Sequence, residues 1–267
     1  MNVYKALTIA GSDSGGGAGI QADLKTFQEL DVFGMSAITA VTAQNTLGVQ
    51  GVFPLTVEAA IQQIDSIATD LAPDAIKTGM LFSSELIKAV ANKISEYRWQ
   101  HIIVDPVMVA KGGAALLQEE AVTTLKKYLI PLAYVITPNI PEAEIIAGIK
   151  INNLDDRQNA AKMIHELGAQ NVIIKGGHDE DDIVVDLLFD GDEFYEFHNK
   201  RIETRHTHGT GCTFAAAITA EIAKGKAIYE SIETAEAFIQ AAIQHELGIG
   251  SGHGPTNHWA FGKKGAL

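Results

Sequence analysis

Apolar and polar positions along the chain fall into two rhythms: short apolar runs, and longer stretches with apolar residues at helical spacing. Residues 5–10 (KALTIA) read as a buried strand. Residues 11–19 are rich in glycine and predict a flexible loop. Residues 20–30 carry Ile20, Leu24, Phe27 and Leu30, the stripe of an amphipathic helix. Residues 34–43 form a second apolar run that ends at Gln44 and Asn45. Residues 49–55 predict a short edge or flap element, because Pro54 lacks the N–H that a central strand must donate. Thr56 stands where a helix over 56–70 needs its N-cap. The rhythm then repeats, with strands at 74–77, 101–104, 134–137 and 171–175 and helices at 83–96, 118–128, 141–147 and 155–167. Residues 182–189 and 193–197 predict an antiparallel pair around Asp190-Gly191-Asp192. A helix over 228–246 closes the pattern.

Alternating apolar strands and helices predict an α/β fold: a mostly parallel central sheet with helices on both faces, plus a small β flap. No linker or change of composition divides residues 1–267, so one domain is expected. In such sheets ligands bind beyond the carboxyl ends of the strands. The residues expected there are polar or glycine-rich at nearly every strand: the glycine loop with Asp23 near it, Gln44, Thr78-Gly79-Met80, Asp105-Pro106, Pro138-Asn139 with Glu142, and Lys175-Gly176-Gly177.

The densest candidate chemistry lies in His206-Thr207-His208-Gly209-Thr210-Gly211-Cys212-Thr213-Phe214, a glycine turn that runs into an alanine-rich helix. Such a turn leaves several backbone N–H groups aimed one way, a seat for phosphate or a developing oxyanion. Cys212 near the first helical position predicts a thiol poised toward thiolate. The competing reading is a small buried cysteine at a well-capped helix start.

Charge and composition narrow the field. With 33 acidic and 20 basic residues the formal net charge is −13, which argues against nucleic acid as a partner but leaves room for a nucleotide at a local positive site. The single cysteine excludes an intrachain disulfide and a thiolate zinc cluster. The first residues lack the apolar run of a signal peptide, and no stretch is long and apolar enough for a bilayer, so a soluble cytoplasmic protein is expected. Gly17-x-Gly19-x-x-Ala22 fits the dinucleotide fingerprint in form, but the acidic residue expected about 20 positions later is missing. The chain has no P-loop motif, no G-x-S-x-G elbow and no H-E-x-x-H helix. Asp105 and Glu142, two oxygen donors expected at strand ends, suit Mg²⁺, which keeps waters and bridges phosphates. Lys175 could reach a phosphate. Together with the Gly209–Gly211 turn, and with Cys212 to take a proton, these parts are coherent with phosphoryl transfer.

The blocks Gly11-Ser12-Asp13-Ser14-Gly15-Gly16-Gly17-Ala18-Gly19-Ile20-Gln21-Ala22-Asp23, Ala40-Val41-Thr42-Ala43-Gln44-Asn45, Lys77-Thr78-Gly79-Met80, Val104-Asp105-Pro106-Val107, Thr137-Pro138-Asn139-x-x-Glu142 and His208-Gly209-Thr210-Gly211-Cys212 run in order. In them the chain resembles the hydroxymethylpyrimidine/phosphomethylpyrimidine kinases of thiamine biosynthesis, within the ribokinase-like superfamily. The resemblance covers essentially the whole chain, including residues 250–258. It implies ATP-dependent phosphorylation of 4-amino-5-hydroxymethyl-2-methylpyrimidine and then of its monophosphate. It implies a pyrimidine pocket of Gly11, Asp23, Gln44, Met80, Val107 and Cys212. It further implies Mg·ATP held by Asp105, Asn139, Glu142 and Lys175, with Thr210 on the ATP side, Gly209 and Gly211 in an anion hole, and a homodimer. Most ribokinase-like enzymes carry an aspartate base where this chain has Cys212, and the vitamin-kinase branch often carries cysteine. The nearest alternative is a pyridoxal or pyridoxine kinase; Thr42-Ala43-Gln44-Asn45 looks more like the pyrimidine enzyme. A cysteine hydrolase using Cys212 and His208 lacks a clear orienting third group. A ligand-sensing module would not need Asp105, Glu142 and Cys212.

Overall fold

The computed structural model describes residues 3–108, 119–177 and 182–263. Its strands are β1 (Lys5–Asp13), β2 (Phe33–Asn45), β3 (Gly48–Pro54), β4 (Ala75–Thr78), β5 (Ile102–Val104), β6 (Val135–Ile136), β7 (Asn171–Ile174), β8 (Ile183–Phe189) and β9 (Phe194–Lys200). They join one sheet in the order β3-β2-β1-β4-β5-β6-β7-β8-β9. The pairs from β2 through β7 are parallel, and β3, β8 and β9 attach antiparallel at the two edges. The mostly parallel sheet and the edge flap are as the apolar runs predict.

Period-two alternation fills both faces. Ala6, Ala75, Ile103, Val135 and Ile173 point to one side, where they pack with helices α1 (Gly19–Glu29), α7 (Thr210–Ala223) and α8 (Ile228–Gln244). Leu7, Ile76, Ile102, Ile136 and Val172 point to the other, against α2 (Val57–Ala68), α3 (Ser84–Glu96), α4 (Glu119–Thr124), α5 (Ile140–Ala147) and α6 (Leu154–Glu166). Strands buried on both faces must be apolar throughout, which is why they read as continuous runs. Helix α7 is buried nearly all round. Its alanines Ala215, Ala216 and Ala217 are fully enclosed, so the helix lies close under the middle of the sheet. A leucine there would overpack the layer at a cost of about 1–3 kcal/mol.

Several boundaries differ from the sequence reading, for physical reasons. β1 continues through Gly11 to Asp13, because it stays paired with β2 past a register shift between Ala10 and Ser12. β2 runs to Asn45 because β3 supplies partners as far as Gly48. Thr56 does cap α2, accepting the Ala59 N–H. The helix expected over 118–128 is α-helical only to Thr124, continues as a π turn over Leu125–Leu129, and gives way to a 3-10 turn that contains Pro131. Proline cannot donate into a continuing α ladder, so the regular helix stops short of it. Gln118 lies outside the described residues.

Candidate active site

The order of the sheet reverses between β1 and β4: β1 is followed outward by β2 on one side, and β4 leads away on the other. A crevice opens at the carboxyl ends of the strands at such a switch point. The chain returns from edge strand β9 to this crevice and enters α7 there. Gly209 is the N-cap, with φ 87°, a conformation that an L side chain adopts only under strain. A Cβ at Gly209 would fall on the Gly17 carbonyl oxygen, so the turn and the glycine loop are in direct backbone contact. The helical ladder begins with Thr213 N–H donating to Gly209 O. The N–H groups of Gly211 and Cys212 lie ahead of it, at the positive end of the helix dipole. Thr210 gives its hydroxyl proton to Thr207 O.

A cluster of charge faces this turn. A Cβ on Gly211 would lie 3.4 Å from Lys175 Nζ, which fixes that ammonium beside the helix N-terminus. Lys175 Nζ is 3.5 Å from Asp105 Oδ1. Thr137 Oγ1 is also 3.5 Å from that oxygen. Asp105 Oδ2 is buried and makes no hydrogen bond. Asn139 and Glu142 form a capping box at the start of α5: Asn139 Oδ1 accepts the Glu142 N–H, and Glu142 Oε2 accepts the Asn139 N–H. The cap uses the oxygen of Asn139 and leaves its Nδ2, a donor, outside the motif. Burial pushes Glu142 up to about 7, with Lys175 opposing the rise and Asp105 adding to it. Among the described residues no three His, Cys, Asp or Glu side chains gather into a metal cage. Asp105, whose Oδ2 accepts no hydrogen bond although the Lys77 ammonium is 3.8 Å away, and the capped Glu142 are a small set of oxygen donors that suits a divalent ion taking most of its ligands from phosphate and water.

On the other side of the crevice the residues expected around a pyrimidine come together, with one exception. A Cβ on Gly11 would collide with Met80 Cε. Met80 packs with Ala40, Val52 and Val107 as a small apolar cluster under the flap. Gln44 lies at the end of β2, half-buried. Asp23 is the exception: it has no accessible surface, so it does not face a ligand in this structure. Its Oδ2 accepts from Thr8 Oγ1 at 2.6 Å and from Lys77 Nζ at 3.1 Å. In this structure Asp23 anchors Lys77 below the crevice.

The sequence reading gives Lys77 no role of its own: it stands there as the end of an apolar strand and the first residue of the block Lys77-Thr78-Gly79-Met80. It is fully enclosed, and its Nζ also lies 3.8 Å from Asp105 Oδ2. Burial works against its charge, but Asp23, Cys212 and Asp105 outweigh it and push its pKa up. Gly79 leaves the space that the ammonium occupies. Asp13 and His208 also went unassigned. Asp13 accepts the N–H groups of Gly15, Gly17 and Ala18 at 2.8, 3.0 and 2.8 Å, and its Oδ2 lies 2.8 Å from His208 Nε2. Burial tends to raise Asp13, but His208 and the loop N–H groups prevail and lower it.

Cys212 stands at the third position of α7. Burial works against the expected thiolate. Burial pushes the thiol up to about 12; Lys77 pulls it down, Asp105 and Asp23 add to the rise, and the Gly19 N–H opposes it. The residue keeps some accessible surface, but the sulfur is walled by protein, so desolvation governs the direction. The helix terminus alone is too weak to reverse it.

The family described as phosphomethylpyrimidine kinase matches residues 13–257. The hydroxymethylpyrimidine/phosphomethylpyrimidine kinase of Bacillus subtilis is 65% identical over 262 residues, covering 98% of this chain and 97% of that protein. The corresponding protein of Haemophilus influenzae is 53% identical, covering 98% and 99%. Among solved structures, the ADP complex of Bacillus subtilis pyridoxal kinase superposes with a TM-score of 0.91 at 45% identity, covering 97% of this chain and 98% of that one. With so much of the chain matched, and with a phosphate seat, a half-free carboxylate and a lysine meeting at one sheet edge, this chain is a kinase and belongs to the phosphomethylpyrimidine kinase family.

Proposed function

We propose that the protein transfers the γ-phosphoryl group of ATP to the hydroxymethyl group of 4-amino-5-hydroxymethyl-2-methylpyrimidine, and then phosphorylates the monophosphate to the diphosphate, in thiamine biosynthesis. The observation that carries this reading is the convergence of the α7 N-terminus, Lys175 and Asp105 beside the apolar cluster of Met80 and Val107. Phosphoryl transfer asks for positioning and charge neutralisation more than covalent chemistry. The N–H groups of Gly211 and Cys212 receive the phosphoryl oxygens, and Lys175 adds a cation to them. Asp105 and Glu142 would hold Mg²⁺, which neutralises phosphate charge when bound with the nucleotide. Asn139 Nδ2 and Thr210 lie on the ATP side. Gly11, Met80 and Val107 form the apolar seat of the ring, and Gln44 supplies its polar contact. Asp23 acts from below, by keeping Lys77 charged. Cys212 begins as a neutral thiol, which has no vacancy for the hydroxyl proton, so it positions the attacking hydroxyl; taking that proton would require the thiolate, formed by first losing its own.

The higher identity to pyrimidine kinases, 65% and 53%, favours this substrate over pyridoxal. We assign the homodimer contact to the outer face of the flap, where the cross-strand pair Val41 and Phe53 is 41% and 62% exposed. No described helix is long and apolar enough to cross a membrane.

The test is ADP release from Mg·ATP with hydroxymethylpyrimidine, its monophosphate and pyridoxal in parallel. Turnover of both pyrimidines is expected. Turnover of pyridoxal alone would move the protein to vitamin B6 salvage, and turnover of none would remove the kinase reading.

A further inference from the structure

We infer that His208 is a specificity-determining positioning residue: its Nε2–H, shared between Asp13 and Gln44, turns the Gln44 amide so that its NH₂ faces the ligand as a donor. The inference rests on the kinase reading above, and it follows from counting donors and acceptors around Gln44.

Four contacts define the problem. His208 Nε2 lies 2.8 Å from Asp13 Oδ2. The same nitrogen lies 3.3 Å from the Gln44 amide, at the end drawn as Nε2. Thr42 Oγ1 lies 3.1 Å from the other end, drawn as Oε1, and 2.9 Å from the Ser12 carbonyl. Asp13 receives three loop N–H groups, so it is an ionised carboxylate with nothing to donate. A 2.8 Å contact between His208 and that carboxylate therefore needs the proton on His208 Nε2.

With that proton in place, the drawn amide sets two donors against each other at 3.3 Å. It also asks the single Thr42 hydroxyl proton to serve both Ser12 O and Gln44 Oε1. The two ends of a carboxamide exchange places on a half-turn, so their assignment follows from the partners. After the half-turn, Gln44 oxygen accepts from His208 Nε2–H. Gln44 NH₂ donates to Thr42 Oγ1, and the Thr42 proton goes wholly to Ser12 O. The clash of two donors is removed, and the one shared proton is now that of His208 Nε2, held mainly by the charged Asp13 Oδ2 at 2.8 Å and secondarily by Gln44 oxygen at 3.3 Å. One Gln44 amide hydrogen is left over, on a half-buried side chain at the mouth of the crevice.

That hydrogen gives the pocket a fixed donor, which rewards a ring with an acceptor at this point, as an aminopyrimidine nitrogen offers. A donor whose direction is set by a neighbour discriminates better than a freely turning amide, because the wrong ligand leaves it unpaired. His208 is well placed to set it. Its ring packs on Gly17, where a Cβ would collide with His208 Cδ2. Its backbone is pinned by the tail, through His208 N–H to Gly254 O and Thr256 N–H to His208 O.

Two measurements on the full-length protein test this. In ¹⁵N NMR of the imidazole rings, with the His208 signals identified by their loss in His208→Gln, Nε2 should carry a proton at neutral pH. A bare Nε2 would overturn the inference whatever the enzyme phosphorylates. In steady-state kinetics, His208→Phe keeps the ring volume and loses the donor. It should raise the KM for hydroxymethylpyrimidine about tenfold or more, with kcat and the KM for ATP within about twofold. His208→Gln, which keeps an N–H, should recover most of the loss. Gln44→Glu keeps the oxygen that meets His208 and removes the NH₂, so it should raise the pyrimidine KM at least as much, and it decides the matter if His208→Phe does not fold. Equal rises in both KM values, or no rise in the pyrimidine KM, would overturn the proposal. If the parent turns over no pyrimidine, the kinase reading falls and the ring NMR still decides the tautomer.

Discussion

Lys77 and Lys175 flank the same carboxylate from opposite sides. Lys77 Nζ is 3.8 Å from Asp105 Oδ2, and Lys175 Nζ is 3.5 Å from Asp105 Oδ1. Their surroundings separate them. The Lys77 side chain is 0% exposed and is bound to an equally enclosed Asp23, whereas Lys175 keeps 15% exposure and lies beside the anion-binding turn. One cation is already matched by buried negative charge. The other has an accessible edge where phosphate would arrive. Residue type and even partner are shared, so the role of each lysine follows from what else surrounds it.

Substituting the two lysines gives the largest expected effects. Lys77→Met leaves the enclosed Asp23 without its counter-charge, and breaking such a pair costs about 3–5 kcal/mol. Urea unfolding should show that loss, and Lys77→Met combined with Asp23→Leu should recover most of it. Lys175→Met leaves Asp105 beside Lys77, so it should cost clearly less stability than Lys77→Met yet lose roughly 10²-fold in kcat with Mg·ATP. If both variants lose stability alike, the contrast is gone.

Next in size is Cys212→Ala, with an expected loss of about 10²-fold in kcat if the thiolate form takes the proton. A loss below about tenfold would leave it a positioning role alone. Because burial pushes the thiol up to about 12, alkylation by iodoacetamide should be slow at neutral pH and climb steadily on the alkaline side. A plateau below pH 8 would mean that the cation of Lys77 prevails over burial.

Glu142→Gln sharpens the metal side through pH. In the folded protein Glu142 is raised from 4.5 to about 7. Below 4.5 both folded and unfolded forms hold the proton, and the group has no effect. As pH rises toward 7 the unfolded chain releases its proton first, so this residue lowers stability across that window and stays constant above it. Glutamine can still close the capping box. The Tm of the variant relative to the parent should therefore climb between pH 4.5 and 7 and then level off, while the Mg²⁺ needed for half-maximal rate rises. A flat Tm difference would mean that the carboxyl is ionised throughout.

The smallest effect is expected at Gly211→Ala. The added Cβ meets Lys175 Nζ at 3.4 Å, an ordinary contact with the end of a flexible chain. The KM for ATP should rise only a few fold, and unfolding should barely change; a collapse of activity would mean that the lysine cannot shift aside.

The sequence by itself determined the architecture and marked the turn where we propose the phosphate chemistry. Doubly buried parallel strands must be apolar along their length, and helices must show their stripe, so both are written in local order. Gly209 and Gly211 ahead of an alanine-rich helix mark an anion seat for the same local reason, and Asp105, Glu142 and Lys175 stand out as charges just after apolar runs. Other features depend on residues far apart in the chain. Lys77 meets Asp23 across 54 residues and His208 meets Asp13 across 195, and nothing near either residue announces the partner. The enclosure of Asp23, the upward push of burial on the Cys212 thiol and the set of partners around the Gln44 amide were decided only in the tertiary structure. Burial and hydrogen-bond partnership belong to the assembled neighbourhood, and a charge or an amide takes its properties from the groups that pack around it.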